Sequence, residues 1–335
     1  MKLLRYTVLV VASLLWLGGC SRTVMHELYQ IGFIPDDYRF GDLYRLSSLS
    51  QFKEPVTPCP ASPTYPDTAR TDVYVLGDSF TEPGRLAKAD LPVRSLHYFH
   101  WDHDLNRHVQ LDTTHRNVLV IESVERHFRQ HVAVPPTQNI LVVSDTIGTN
   151  GQHQQSAQWG TMLIDWIKAT GIEDRLETTL FSRDLFLWFR ETKAALTLAL
   201  FNRHNDKVAL STDGQAIFSE LEVNNPETSA FTPLRDTYLD SLVHNLNVAA
   251  DHYRKAGFDE VILSIIPNKV TLLEPNRGTY NHLIERIQQH PGLHLTVIDT
   301  YTPYRRSRLP LYAKSDTHWN CTGRAIWLDA LRQRL

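Results

Sequence analysis

Five short apolar runs constrain the fold of this chain more than any other feature: residues 73–76, 118–121, 140–143, 261–266 and 295–298. Each has the length of a strand. None alternates strictly with polar residues, which is the pattern of strands covered on both faces of a parallel sheet. Apolar residues at helix spacing lie between them, at Trp159, Met162, Leu163, Trp166 and Ile167, and again at Leu239, Leu242, Val243 and Leu246. This alternation predicts an α/β, three-layer, doubly wound domain around a mainly parallel five-stranded sheet. Between the third and fourth runs an insert of about 180–225 is expected. It holds a buried helix over 185–200 and a hairpin over 207–222 that turns at Asp213-Gly214.

The N-terminus reads as an address. Lys2 and Arg5 precede an apolar run over 7–17 that is short for a bilayer span, and the segment closes on Leu17-Gly18-Gly19-Cys20. That ending resembles the lipobox of bacterial lipoproteins. The resemblance implies a signal peptide over 1–19, lipidation of Cys20 and stable attachment to a membrane. The expected product is an exported lipoprotein on the periplasmic side of the outer or inner membrane. Residues 20–70 carry Pro35, Pro55, Pro58, Pro60, Pro63 and Pro66 and read as a lipidated tether. Only Cys59 and Cys321 would remain as thiols, and an oxidising compartment permits a bridge between them. A bridge and two free thiols both stand at this point.

Charge narrows the partners. The chain has 34 Lys+Arg against 37 Asp+Glu, so no global basic field favours nucleic acid. With 42% hydrophobic and 21% charged residues it is not a disordered chain. No cofactor is implied. His97, His100 and His103 are regularly spaced, but Tyr98, Phe99 and Trp101 among them point to a packed loop. No cysteine or carboxylate at zinc spacing accompanies them. Arg305, Arg306, Arg308 and Lys314 form a basic stretch that suits either an anionic glycan or a solvated loop.

In open α/β sheets, chemistry collects beyond the carboxyl ends of the strands. The residues expected there are Gly77-Asp78-Ser79, Glu122, Ser144-Asp145, Pro267-Asn268-Lys269 and Asp299. Ser79, on a tight turn out of a strand, suits a nucleophile, which needs a base within hydrogen-bond reach. His318 is the candidate base. Asp316, two residues earlier in an extended segment, places its carboxylate on the same side, where it can fix the imidazole tautomer.

These residues carry a resemblance. Val75-Leu76-Gly77-Asp78-Ser79-Phe80-Thr81 resembles the first block of SGNH hydrolases. Asp316-Thr317-His318-Trp319 resembles the Asp-x-His-Trp signature of the alginate O-acetyltransferase branch of that superfamily. Ile121-Glu122-Ser123-Val124-Glu125-Arg126, Ile266-Pro267-Asn268-Lys269, the 186–203 helix and the Asp213-Gly214 hairpin fit the same branch, so the resemblance covers most of 71–335. It implies a flavodoxin-like SGNH domain over 71–335 with a catalytic triad of Ser79, His318 and Asp316. The implied activity is O-acetylation of an exported polysaccharide through an acetyl-serine, with a membrane-bound O-acyltransferase as acetyl supplier. A carbohydrate acetylesterase or a non-catalytic carbohydrate-binding lipoprotein are the alternatives.

Two departures stand out. Ser79 precedes the Asp-x-His segment, which is the usual SGNH order but the reverse of the alginate enzymes. No Gly-x-Asn-Asp block is present to complete an oxyanion hole. The Ser79 amide is one donor. Asp78, Arg126, Lys269 and Trp319 are the candidates for the remaining oxyanion and substrate contacts. Arg126 reads equally as a structural partner of Glu122 or Glu125, Lys269 as a structural lysine closing the rim, and Trp319 as a core residue beside the loop.

Overall fold

A computed structural model of the chain describes residues 2–20, 38–63, 65, 69–143 and 183–335. The expectations for Ser144-Asp145, the polar stretch 149–158 and the helix through Trp159 and Ile167 lie outside the described residues. In chain order the elements are α1 (Lys2–Cys20), α2 (Asp42–Ser47), β1 (Thr71–Gly77), β2 (Ser95–His100), β3 (Arg107–Val109), β4 (Arg116–Val124), α3 (Glu125–His131), β5 (Ile140–Val142) and α4 (Asp184–Phe201). They continue with β6 (Val208–Leu210), β7 (Ile217–Ser219), α5 (Glu220–Val223), α6 (Asp236–Lys255), β8 (Glu260–Ile266), α7 (Lys269–Leu273), α8 (Leu283–Gln288), β9 (Thr296–Ile298), α9 (Tyr301–Arg306) and α10 (Cys321–Arg332). The chain divides into two compact units, Met1–Val56 with Gly148–Asn205, and Thr57–Ile147 with Asp206–Leu335.

The larger unit is a three-layer α/β domain. Its central sheet has the order β2-β1-β4-β8-β9, and every pairing is parallel. Counting only these strands, the order is 2-1-3-4-5, whose direction of winding reverses between β1 and β4. Both faces of the sheet are covered, as the continuous apolar runs require. Tyr74, Leu76, Leu119, Ile121, Leu263 and Ile265 pack under α6 and α8 on one face. Val73, Val75, Val118, Val120 and Ile262 pack with Phe80, Tyr304, Trp319 and Trp327 on the other.

One strand differs from expectation. The run at 140 forms β5, but it pairs with β3 in a separate two-stranded sheet. The fifth central strand is β2, which the sequence reading took for a packed loop. As an edge strand it is only half covered, so Ser95-Leu96-His97-Tyr98-Phe99-His100 lacks the continuous apolar character of its neighbours. The hairpin forms as expected, with β6 and β7 antiparallel and Ala209 opposite Phe218.

The tether reading is also corrected. Within 38–56, Leu43, Leu49 and Phe52 are buried and α2 forms, because the prolines gather only from Pro55 onward. The helix at 185–200 exists as α4, but it is not a buried one. Leu187 alone among its residues is buried, whereas Trp188, Phe189 and Leu200 are exposed. Its inner side is polar: Glu191 accepts hydrogen bonds from Tyr44 and Lys53, and Arg190 donates to the Arg45 carbonyl. The described helices include none long and apolar enough to cross a membrane.

Candidate active site

Ser79 sits on the turn after β1, at the point where the winding reverses. The turn is built by its neighbours. Asp78 Oδ1 accepts the Phe80 amide at 3.0 Å and Oδ2 accepts the Val124 amide at 2.8 Å, tying the turn to the end of β4. Tyr98 on β2 donates its hydroxyl to the Asp78 carbonyl at 2.8 Å. Gly77 allows the close approach: a Cβ there would lie 2.1 Å from Thr81 Oγ1 and 2.8 Å from Glu122 Oε2. Phe80, fully buried, turns inward and leaves the half-buried Ser79 hydroxyl on the open side.

The partner loop comes from the other end of the chain. Tyr312 bridges Trp319 in antiparallel fashion, and the Asn320 N–H donates to the Leu311 carbonyl at 2.8 Å, closing a loop over 311–320. Asn320 then caps α10 by accepting the Thr322 and Gly323 amides. A Cβ on Gly323 would sit 2.5 Å from the Leu311 carbonyl oxygen, so glycine lets this loop lie against the helix.

Three side chains converge. His318 Nε2 is 2.7 Å from Ser79 Oγ across 239 residues of sequence, and His318 Nδ1 is 2.5 Å from Asp316 Oδ1. Asp316 Oδ1 also accepts the His318 amide at 2.8 Å. Burial alone would raise the Asp316 carboxyl, but the hydrogen bonds and charge of His318 outweigh it and hold the group well below the usual carboxylate range. An ionised Asp316 has no proton to give, so it accepts from Nδ1–H. That leaves Nε2 to accept the Ser79 proton. Both Asp316 and His318 are buried and Phe80 packs 4.7 Å from the imidazole, so the tautomer and ring plane are fixed by packing as well as by charge.

The remaining candidates separate by what they touch. Of the two readings of Lys269, the structural one holds: it is a clamp and not a substrate contact. Its ammonium donates to the carbonyls of Ala313 and Lys314 at 2.8 Å each and of Asp316 at 3.3 Å, and the residue is 2% exposed. Trp319 is likewise a core residue, edge-on to Phe80 and against Trp327, which removes it from sugar stacking. Asp78 shapes the turn through both carboxylate oxygens. Arg126 is buried over the Phe80 ring and pairs at 3.1 Å with Glu222, not with Glu122 or Glu125. Glu122 lies inside β4 rather than beyond it, since β4 runs on to Val124. Asp299 caps the start of α9 through the Thr302 amide at 3.0 Å.

Cys59 and Cys321 are joined by a disulfide. His97 stacks on Tyr74, whereas His100 stacks on His103; three apart on a strand, His97 and His100 fall on opposite faces of β2. Arg305, Arg306, Arg308 and Lys314 are exposed ahead of the Asp316 loop.

Sequence reasoning missed Tyr98, Thr81 and Glu222. Thr81, two residues past the serine, was visible in the motif. Tyr98 was hidden by the misread edge strand, and Glu222 reaches Arg126 only through the hairpin. Compared with protein-family models, curated proteins and solved structures, the chain matches none. The functional reading is therefore carried by the site's own geometry and by the motif resemblance.

Proposed function

We propose that the protein is an O-acetyltransferase that acetylates an exported polysaccharide through an acetyl-serine on Ser79. The observation that carries this reading is the Ser79–His318–Asp316 relay, assembled from two remote segments at the carboxyl end of the sheet. In the first step Ser79 Oγ bonds to the acetyl carbonyl carbon while its proton passes to His318 Nε2. The bond to the donor's leaving group then breaks, and His318 returns the proton to that group. In the second step a sugar hydroxyl attacks the acetyl-serine, His318 takes the hydroxyl proton, and Ser79 Oγ leaves and recovers it. Asp316 stabilises the imidazolium formed each time.

The negative oxygen of each tetrahedral intermediate needs donors. The Ser79 amide makes no hydrogen bond to the described residues and is the first. Arg126, over the neighbouring Phe80 ring, is the candidate cation for the second. The exposed arginines at 305, 306 and 308 suit an anionic acceptor glycan. The reading includes export as a lipoprotein anchored through Cys20 and facing the periplasm. A membrane-bound O-acyltransferase would supply the acetyl group, because an activated cytoplasmic donor does not cross a bilayer unaided.

An aryl acetate with and without an oligosaccharide acceptor tests the proposal. The protein should accumulate one acetyl group on Ser79 by intact mass, and the acceptor should draw it off faster than water does. Ser79→Ala should lose at least about 10³-fold in turnover and form no adduct while keeping its fold. Turnover that persists in Ser79→Ala refutes the nucleophile. Acetyl release unaffected by any acceptor would make the protein an esterase.

A further inference from the structure

Beneath the nucleophile turn lies a carboxyl group that the relay does not use. Glu122 is fully buried in β4, on the sheet face shared with Val118 and Val120. Its Oε2 accepts two hydrogen bonds from the turn, the Asp78 amide at 3.1 Å and the Thr81 hydroxyl at 2.8 Å. Its other oxygen, Oε1, is buried with no donor among the described residues. No basic side chain of the described residues pairs with it. Beside it, Asp78 has each carboxylate oxygen engaged by a backbone amide. Glu122, with one buried oxygen unmet and no cation beside it, is the acid that holds a proton.

We infer that Glu122 is a positioning residue, a neutral carboxylic acid seated inside the sheet that clamps the turn from Gly77 to Thr81 and keeps the Ser79 hydroxyl aimed at His318. The inference rests on reading Ser79 as the nucleophile. As the neutral acid, Glu122 accepts on Oε2 and offers its proton to Asp78. As a carboxylate it would face Asp78 with like charge and push the turn away from His318.

Burial first, and then the Asp78 charge, push the Glu122 carboxyl well above the usual carboxylate range. The other groups facing this pair titrate elsewhere. On β2, burial and the neighbouring acids push the Tyr98 hydroxyl up. On α3, burial pushes His127 down and His131 down to about 4, against the pull of Asp78. Trp101 donates its indole N–H to the Glu122 carbonyl, and Ser264 lies across on β8; neither carries charge. Among the groups facing the turn, Glu122 is therefore the one whose ionisation would lower activity as pH rises.

The test compares the full-length parent with Glu122→Gln, Glu122→Ala and Ser79→Ala, using aryl acetate turnover over about pH 6–10 and infrared difference spectra taken below the alkaline limb. Gln copies the neutral acid in shape and in its acceptor. Glu122→Gln should stay within about threefold of the parent and lose the alkaline limb, whereas Glu122→Ala should fall about 10²-fold in kcat with KM little changed. If Glu122→Ala does not fold, Thr81→Val removes one of the two clamping donors and should lower kcat about tenfold. The parent should show a protonated-carboxyl band that Glu122→Gln lacks. Glu122→Gln as damaged as Glu122→Ala, an unaltered alkaline limb, or no difference in the carboxyl band overturns the inference. Loss of the nucleophile reading would show separately as turnover in Ser79→Ala, and the infrared band would still decide the state of Glu122.

Discussion

Lys269 shows what a single side chain hides from a sequence reader. Beside the expected active site, a lysine after a strand suggests a hand for the substrate. Its ammonium is instead buried, where a charge is costly unless it is met, and three carbonyls of the 313–316 loop meet it. The two roles predict different kinetics. A substrate lysine acts through KM, whereas a clamp acts through the placement of Asp316 and His318. Lys269→Met should lower kcat about 10²-fold while KM moves less than about twofold, measured by steady-state turnover of an aryl acetate. A raised KM with kcat preserved would return the residue to the substrate. Ser79, Asp316 and His318 were legible because each sits in a local motif whose neighbours shape it. The partners of Lys269 and Arg126 were not, since they come from segments 44 and 96 residues away, and Trp319 packs on Phe80 from the far end of the domain.

Among the elements, four of the five central strands could be read from their apolar continuity, because burial on both faces leaves no polar face to alternate. The edge strand β2 could not, and Tyr98 was missed with it. Register also escaped: nothing in the run at 140 says that it pairs with β3 instead of joining the main sheet. The joint between β4 and β8 carries a further test. Glu125, buried at the start of α3, accepts the Asn268 amide at 2.9 Å and the Thr271 hydroxyl at 2.7 Å, pinning the start of α7. Burial raises its carboxyl to about 7, against those hydrogen bonds. Between about pH 4.5 and 7 the folded chain thus holds a proton that the unfolded chain has released, so stability falls as pH rises through that window, by about 3 kcal/mol in all. A glutamine keeps the acceptor and carries no charge. Glu125→Gln should match the parent near about pH 5 and exceed it by up to about 3 kcal/mol near about pH 8, read by urea unfolding. The same difference at both pH values would exclude a titrating Glu125.

At the scale of the molecule, the larger unit brings together segments far apart in the chain. The relay joins residue 79 to residue 318, and the disulfide joins Cys59 to Cys321, three residues beyond the histidine. Two cysteines 262 residues apart say nothing about pairing on their own. It is the fold that brings their Cα atoms to 5.2 Å. The bond fastens the proline-rich segment before β1 to the first turn of α10, the helix on which the Asp316–His318 loop rests. Closing so long a loop restricts the unfolded chain far more than the folded one, which in the chain-entropy account is worth about 5.5 kcal/mol. That is a large part of a typical domain's stability, and it persists only where thiols stay oxidised, as in the exported setting proposed for this protein. Replacing both cysteines, Cys59→Ser with Cys321→Ser, should therefore lower the denaturation midpoint sharply, and reductant should do the same to the parent but not to the variant. Turnover measured well below the midpoint should survive in both, because Asn320 still caps α10 and Lys269 still holds the loop. A parent whose midpoint is indifferent to reductant would show that the bond adds nothing to stability. A variant that stays folded but inactive would make the disulfide part of the catalytic geometry.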